Sequence, residues 1–121
     1  SGIVRNPDRI RSPAHRAWVR GFQCIALDTR HSDQARPCGG PVECAHVRLG
    51  TDGGTGTKPS DAWTVPMCAG HHREAHAHGE PAFERKYGVN LKAIAERLAA
   101  QSPALKRLAH QQRMLEEEIM P

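Results

Sequence analysis

The sequence predicts a small α+β fold. Its centre is a strand–loop–strand–helix (ββα) unit that binds metal and is stapled by a structural zinc, with an N-terminal helix and C-terminal helices on its flanks. Three observations predict it. The chain has 121 residues with only 4% aromatics, and Leu, Ile and Val are sparse in its first half, so a staple other than an apolar core is expected there. Its four cysteines, Cys24, Cys38, Cys44 and Cys68, lie in a sequence with no visible secretion signal, which favours zinc over disulfides. Four of its eight histidines fall between Cys68 and His78, within VPMCAGHHREAHAHGE.

The elements follow in order. Residues 1–11 read as an extended basic arm. SPAHRAWVRG then gives a short helix, because Ser12 can cap it, Pro13 suits its first position and Gly21 can end it. Trp18 and Phe22 are four apart and are expected to anchor this helix to the core. CIALDTRHSDQARPCGG holds a polar loop between Cys24 and Cys38. PVECAHVRLG alternates and carries β-branched residues, as a strand does. TDGGTGTKPSD is a Gly/Thr/Pro loop, and AWTVPM is a second short strand. GHHREAHAHG is a helix ended by Gly79, and EPAFERKYG adds another helical turn. Asn90 caps a helix over Leu91–Gln101. Ser102 and Pro103 open a final helix to about Ile119, on which Leu105, Leu108, Leu115 and Ile119 fall near one face, a stripe suited to local packing or a dimer contact.

The formal net charge is +4 and the pI about 9.2. Ser1 to Phe22 carries five arginines (Arg5, Arg9, Arg11, Arg16 and Arg20) against Asp8, whereas Glu116, Glu117 and Glu118 crowd the other end. A basic front half points to a polyanion partner, most simply nucleic acid. No run of 18 apolar residues exists, so no membrane span is expected.

The histidine helix reads as two half-sites. His72 and His76 are four apart, share one face and can grip one metal ion. His71 is rotated by about 100° from His72, and Cys68-x2-His71 is itself a zinc-ligand spacing. Cys24 and Cys38 are the natural pair to complete that zinc, with Cys44 as the competitor. Along an alternating strand Cys44 and His46 share a face. Cys44 is otherwise expected to be a buried thiol, His78 to be exposed, and Glu74 and Glu80 to be helix-surface or cap residues.

In ECAHVRLG, GTGTKPSD, VPMCAGHHREAHAHGE and FERKYGVNL, taken in that order, the chain resembles the phage-type HNH nucleases of the ββα-metal superfamily, near the RecA-dependent (Ref-like) nucleases and related prophage groups. The resemblance covers about Ser12 to Leu91. It implies a nuclease domain over 12–90, between the basic arm of 1–11 and a helical extension over 91–121. It implies that His46 is the general base and that the His72/His76 helix holds a catalytic divalent ion, Mg²⁺, Mn²⁺, Ni²⁺ or Zn²⁺, while Cys24, Cys38, Cys68 and His71 hold a structural Zn²⁺. Trp63 stands where the family's Asn is counted, and Asp61 is the nearby polar residue to orient the base or reach the metal. Ala45 stands where many relatives place a metal-binding His or Asp.

The expected function is metal-dependent hydrolysis of DNA phosphodiester bonds, on duplex DNA, in the cytoplasm of a bacterial host or from a phage gene. A phage or host recombination or packaging protein is an expected partner. His46 would take the proton of the attacking water. Arg48, two residues beyond it, would bind phosphate as a bidentate donor. Lys58, Arg16 and Arg20 would contact the nucleic-acid backbone, and Gly53, Gly54 and Gly56 would let that backbone approach. The alternative is a zinc-stapled nucleic-acid-binding module without cleavage.

Overall fold

Two short antiparallel strands lead into the histidine-bearing helix. The structure, a computed structural model, describes residues 10–27, 35–51 and 59–119. The basic arm before Ile10, the loop glycines 53, 54 and 56, and Lys58 lie outside the described residues. Within these bounds the fold is small and α+β, with a two-stranded sheet and five helices: α1 (Pro13–Arg20), β1 (Val42–His46), β2 (Thr64–Cys68), α2 (Ala69–His78), α3 (Glu80–Tyr87), α4 (Leu91–Gln101) and α5 (Pro103–Ile119). The register pairs Val42 with Cys68 and His46 with Thr64. β2 runs directly into α2, so the end of the sheet and the start of the helix are one rigid joint.

Local chemistry sets the helix ends. The Ser12 hydroxyl accepts from the His15 amide (3.1 Å) with Pro13 in the first turn, and the Asn90 side chain accepts from the Ala93 amide (3.0 Å). Ser102 repeats this for α5, accepting from Leu105 (3.3 Å). Gly88 ends α3 in the left-handed region (φ 64°), where a side chain would be strained.

The core is drawn chiefly from the second half of the chain. Val65 and Met67 of β2, Phe83 and Tyr87 of α3, and Leu91 and Ala95 of α4 close on Ala45 and Val47. α4 therefore packs on β2 as part of this core. The expected anchoring of α1 by Trp18 and Phe22 is not what forms. Those two rings meet each other edge to face (4.8 Å between centroids), and Phe22 stays 39% exposed. The helix buries His15 and Val19 instead. His15 Nδ1 lies 2.7 Å from Ser102 Oγ and Nε2 lies 3.3 Å from Thr64 Oγ1, tying α1 to β2 and the start of α5. Burial keeps this imidazole below its usual pKa, although Asp61 pulls it upward.

Glu74, expected on the helix surface, is buried. It accepts from the Tyr87 hydroxyl (2.5 Å) and pairs with Lys86. Burial raises its pKa, but these two donors outweigh that and hold it below the carboxylate range.

Candidate functional site

Cys24, Cys38, Cys68 and His71 converge, with one ligand atom from each within 4.8 Å of the others. His71 Nδ1 faces the three thiols, 3.0 Å from Cys68 Sγ, 3.4 Å from Cys24 Sγ and 3.7 Å from Cys38 Sγ. A tetrahedral zinc with bonds of about 2.0–2.3 Å spaces its ligands by about 3.5–3.8 Å, so this donor set fits such an ion after small shifts. His71 Nε2 donates to the Arg36 carbonyl (2.8 Å), which leaves Nδ1 unprotonated toward the thiols. A cluster that can hold a structural metal such as zinc is thus built into the fold.

Each ligand is placed by backbone. The Ile25 amide donates to the Pro66 carbonyl (3.1 Å) and lays the Cys24 turn along β2. The Gly39 amide points at Cys68 Sγ (3.4 Å), and Gly70 donates to the Gly39 carbonyl (2.8 Å). Gly40 takes φ 83°, and a Cβ there would meet Ala69 Cβ at 2.9 Å, so only glycine lets the Cys38 turn lie this close to α2. Burial raises the Cys68 pKa, but the His71 and Gly39 amides and the His71 ring outweigh it and bring the thiol down to about 7. Burial and the neighbouring Cys24 push Cys38 up to about 12. Cys44, the competitor for this site, sits half-buried on β1 outside the cluster. Its own burial raises its pKa, with Thr64, Asp61, Arg20 and Arg16 as its charged and polar neighbours.

A second constellation lies across α2 from the first. His46 ends β1, and its Nε2 is 2.8 Å from Asp61 Oδ1. Asp61 is fully buried. Its Oδ2 accepts from the Ser12 amide (2.7 Å) and pairs with the Arg16 guanidinium. Burial raises the Asp61 pKa, but the bonds from His46, Ser12 and Arg16 outweigh it, so the carboxyl titrates below its usual range. Both Asp61 oxygens are thus engaged, Oδ1 by His46 and Oδ2 by Ser12 and Arg16. Arg16, expected to contact nucleic acid, holds Asp61. Arg20 is exposed at the end of the same helix.

His72 and His76 meet on one face of α2, their Nε2 atoms 3.1 Å apart. That separation suits two ligands of one ion, since metal–nitrogen bonds of about 2.1 Å subtend it at nearly a right angle. On the other side of its ring, His72 Nδ1 is 2.8 Å from Glu43 Oε1. A carboxylate on the far nitrogen is how a metal-binding imidazole is held in its tautomer. His46, His72, His76 and Glu80 share a small cavity with Ala45 and Val47. Among the described residues, however, only the Cys3His group brings three or more ligands within reach of one ion. His78 is exposed at the end of the helix.

Arg48 lies just past the last residue of β1, exposed, and its backbone is fixed. Its amide donates to Glu80 (2.9 Å to Oε2), as does the Leu49 amide (2.7 Å to Oε1). Glu80 thus clips the end of β1 to the start of α3. Glu43 and Glu80 are the two residues that sequence reasoning passed over as site members. The only available signal was a strand glutamate one register step from the strand end that feeds α2.

Comparisons with known proteins place the chain. It is 35% identical over 86 residues, 70% of its length, to the Escherichia coli (strain K12) "Uncharacterized protein YdfU", and it spans 24% of that relative's length. No solved structure matches it significantly. The family described as "Protein of unknown function (DUF968)" matches residues 4–105, and the chain belongs to that family.

Proposed function

We propose that the chain is a metal-dependent endonuclease of the HNH (ββα-metal) type, hydrolysing phosphodiester bonds of duplex DNA. The observation that carries the proposal is the buried Asp61 carboxylate on His46 Nε2, beside the imidazole pair of His72 and His76 on α2. Ser12 and Arg16 anchor that buried carboxylate, and the His46 it holds lines a cavity shared with His72 and His76.

In this proposal Asp61 fixes the Nε2–H tautomer of His46, so Nδ1 carries the lone pair that takes a proton from water. Asp61 also stabilises the imidazolium that results, and Arg16 and Ser12 keep Asp61 ionised and in place. His72 and His76 hold the catalytic divalent ion, and Glu43 orients His72. Such an ion, when bound, supplies charge stabilisation to a phosphoryl oxygen and to the leaving 3′-oxygen. Arg48 and Arg20 supply phosphate contacts at the rim. The Cys3His zinc holds the Cys24 and Cys38 turns against α2 so that its opposite face is fixed.

The alternative, a zinc-stapled module that binds nucleic acid without cutting, draws on one observation: Ala45 leaves the second ion with only two protein nitrogens. Supercoiled plasmid incubated with the protein in Mg²⁺, Mn²⁺, Ni²⁺ or Zn²⁺ separates the two. Nicking or linearisation in at least one metal, abolished by chelator, is expected. Binding without cleavage in all four would favour the module.

A further inference from the structure

We propose that the Cys3His side of α2 carries a second binding site, a cationic pocket that takes a phosphate group. This goes beyond the nuclease proposal and does not rest on it. A cavity of about 300 Å³ opens between the Cys38 turn and α2, and Arg36, Arg73 and His78 line it. That volume falls at the lower end of small-ligand sites. The six α2 residues in its wall centre about 160° around the helix axis from His72 and His76. The pocket therefore opens away from the cavity that His46 lines.

The occupant is read from the charges and donors in the wall. Arg36 is fixed at both ends of its peptide frame: its amide donates to the Tyr87 hydroxyl (3.2 Å), and its carbonyl accepts from His71 Nε2 (2.8 Å). Arg73 projects from α2 two residues beyond His71. Among the described residues, neither guanidinium meets a carboxylate. Glu74, the acid in the wall, is already taken up by Lys86 and the Tyr87 hydroxyl. A zinc held by three thiolates and a neutral imidazole carries a single net negative charge, which offsets one guanidinium and leaves the other in excess. Each guanidinium presents a planar fork of N–H donors, and the His78 ring adds an N–H even when neutral. Donors from three residues on two segments suit a phosphate, with its several acceptor oxygens, better than a carboxylate with two. Free phosphate, a phosphate monoester and the diester of a nucleic-acid backbone share that chemistry.

Heteronuclear NMR of the zinc-loaded full chain, free of other divalent ions, tests this with three probes: inorganic phosphate, a short duplex with 5′-hydroxyl ends, and acetate. Phosphate or the duplex should give saturable shifts at the Arg36 and Arg73 side-chain N–H groups and at the His78 ring. Arg36→Ala and Arg73→Ala, at exposed positions, leave the backbone bonds in place. Each should keep its zinc and fold and weaken binding about 10–100-fold, read from the shifts that remain. Acetate should bind about tenfold or more weakly than phosphate. Shifts with the duplex identify the ligand as a nucleic-acid backbone, and shifts with phosphate but not the duplex identify it as free phosphate or a monoester. No saturable shift with either, an affinity indifferent to both substitutions, or acetate as tight as phosphate would overturn the proposal.

Discussion

Replacing Asp61 with Asn keeps the side-chain shape and removes one charge from a fully buried polar group with three partners. Asp61 is fully buried and accepts from His46 Nε2 at 2.8 Å, from the Ser12 amide at 2.7 Å and from Arg16. An amide offers one acceptor oxygen and places an N–H where the other carboxylate oxygen was, facing a donor. Bonds to a charged partner are worth about 1.5–3 kcal/mol each, and stranding a buried partner costs about 3–5 kcal/mol. Arg16 is partly exposed and can rehydrate, so a loss near the low end, about 2–3 kcal/mol at neutral pH, is expected. For a domain of this size that is a fall in Tm of roughly 10 °C. The pH dependence carries the sharper signature. The Asp61 pKa is depressed in the fold, so its contribution is fully present above the unfolded carboxylate pKa of about 3.9 and is lost as pH falls through the lower folded value. Thermal melts from pH 3 to pH 7 should therefore show a steep acid limb in the wild type and a shallower one in Asp61→Asn, the curves converging at low pH. Parallel curves, or a difference under about 0.5 kcal/mol at pH 7, would refute the assignment of Asp61 as an ionised buried anchor.

The other variants probe the metals. Cys24→Ser, Cys38→Ser and Cys68→Ser should each release the structural metal and unfold the chain near physiological temperature, because a site of this kind contributes about 10 kcal/mol or more. Cys44→Ala should retain one metal per chain by mass spectrometry, and loss of metal from that variant would contradict the ligand set. Glu43→Gln should leave fold and structural metal intact yet weaken Mn²⁺ or Ni²⁺ binding to the His72/His76 pair by about 10–100-fold in calorimetry. Unchanged affinity would mean that the glutamate only decorates the strand.

Much of this was legible in the sequence because it is local. The caps at Ser12, Asn90 and Ser102 and the Cys68-x2-His71 spacing are set by neighbours within one turn, and periodicity located both strands. What escaped depends on contacts between distant segments. Glu43 meets His72 only because the β1–β2 register brings the start of β1 to the root of α2. Glu74 looks like surface on a helix wheel and is buried because Tyr87 and Lys86 fold back over it. Charge alone places Arg16 in the basic patch, and only the fold sets Asp61 beside it. By contrast, Cys24 and Cys38, which bracket the loop that a zinc would close, read as the natural pair, and they do converge with Cys68 and His71 while Cys44 stays on β1 outside the cluster.

The most direct test of the proposed nuclease is cleavage of supercoiled plasmid by wild type and His46→Ala, each shown by metal analysis and circular dichroism to carry its structural metal and fold. Without His46, Asp61 keeps its bonds from Ser12 and Arg16, so the variant should lose about 1.5–3 kcal/mol of stability yet still fold and bind DNA nearly as well as wild type. Its cleavage rate in the preferred divalent metal should fall by about 10²–10⁴-fold, the usual consequence of losing a general base. Wild-type turnover by His46→Ala under the same metal, or no cleavage by the wild-type protein in any of the four metals, would contradict the account.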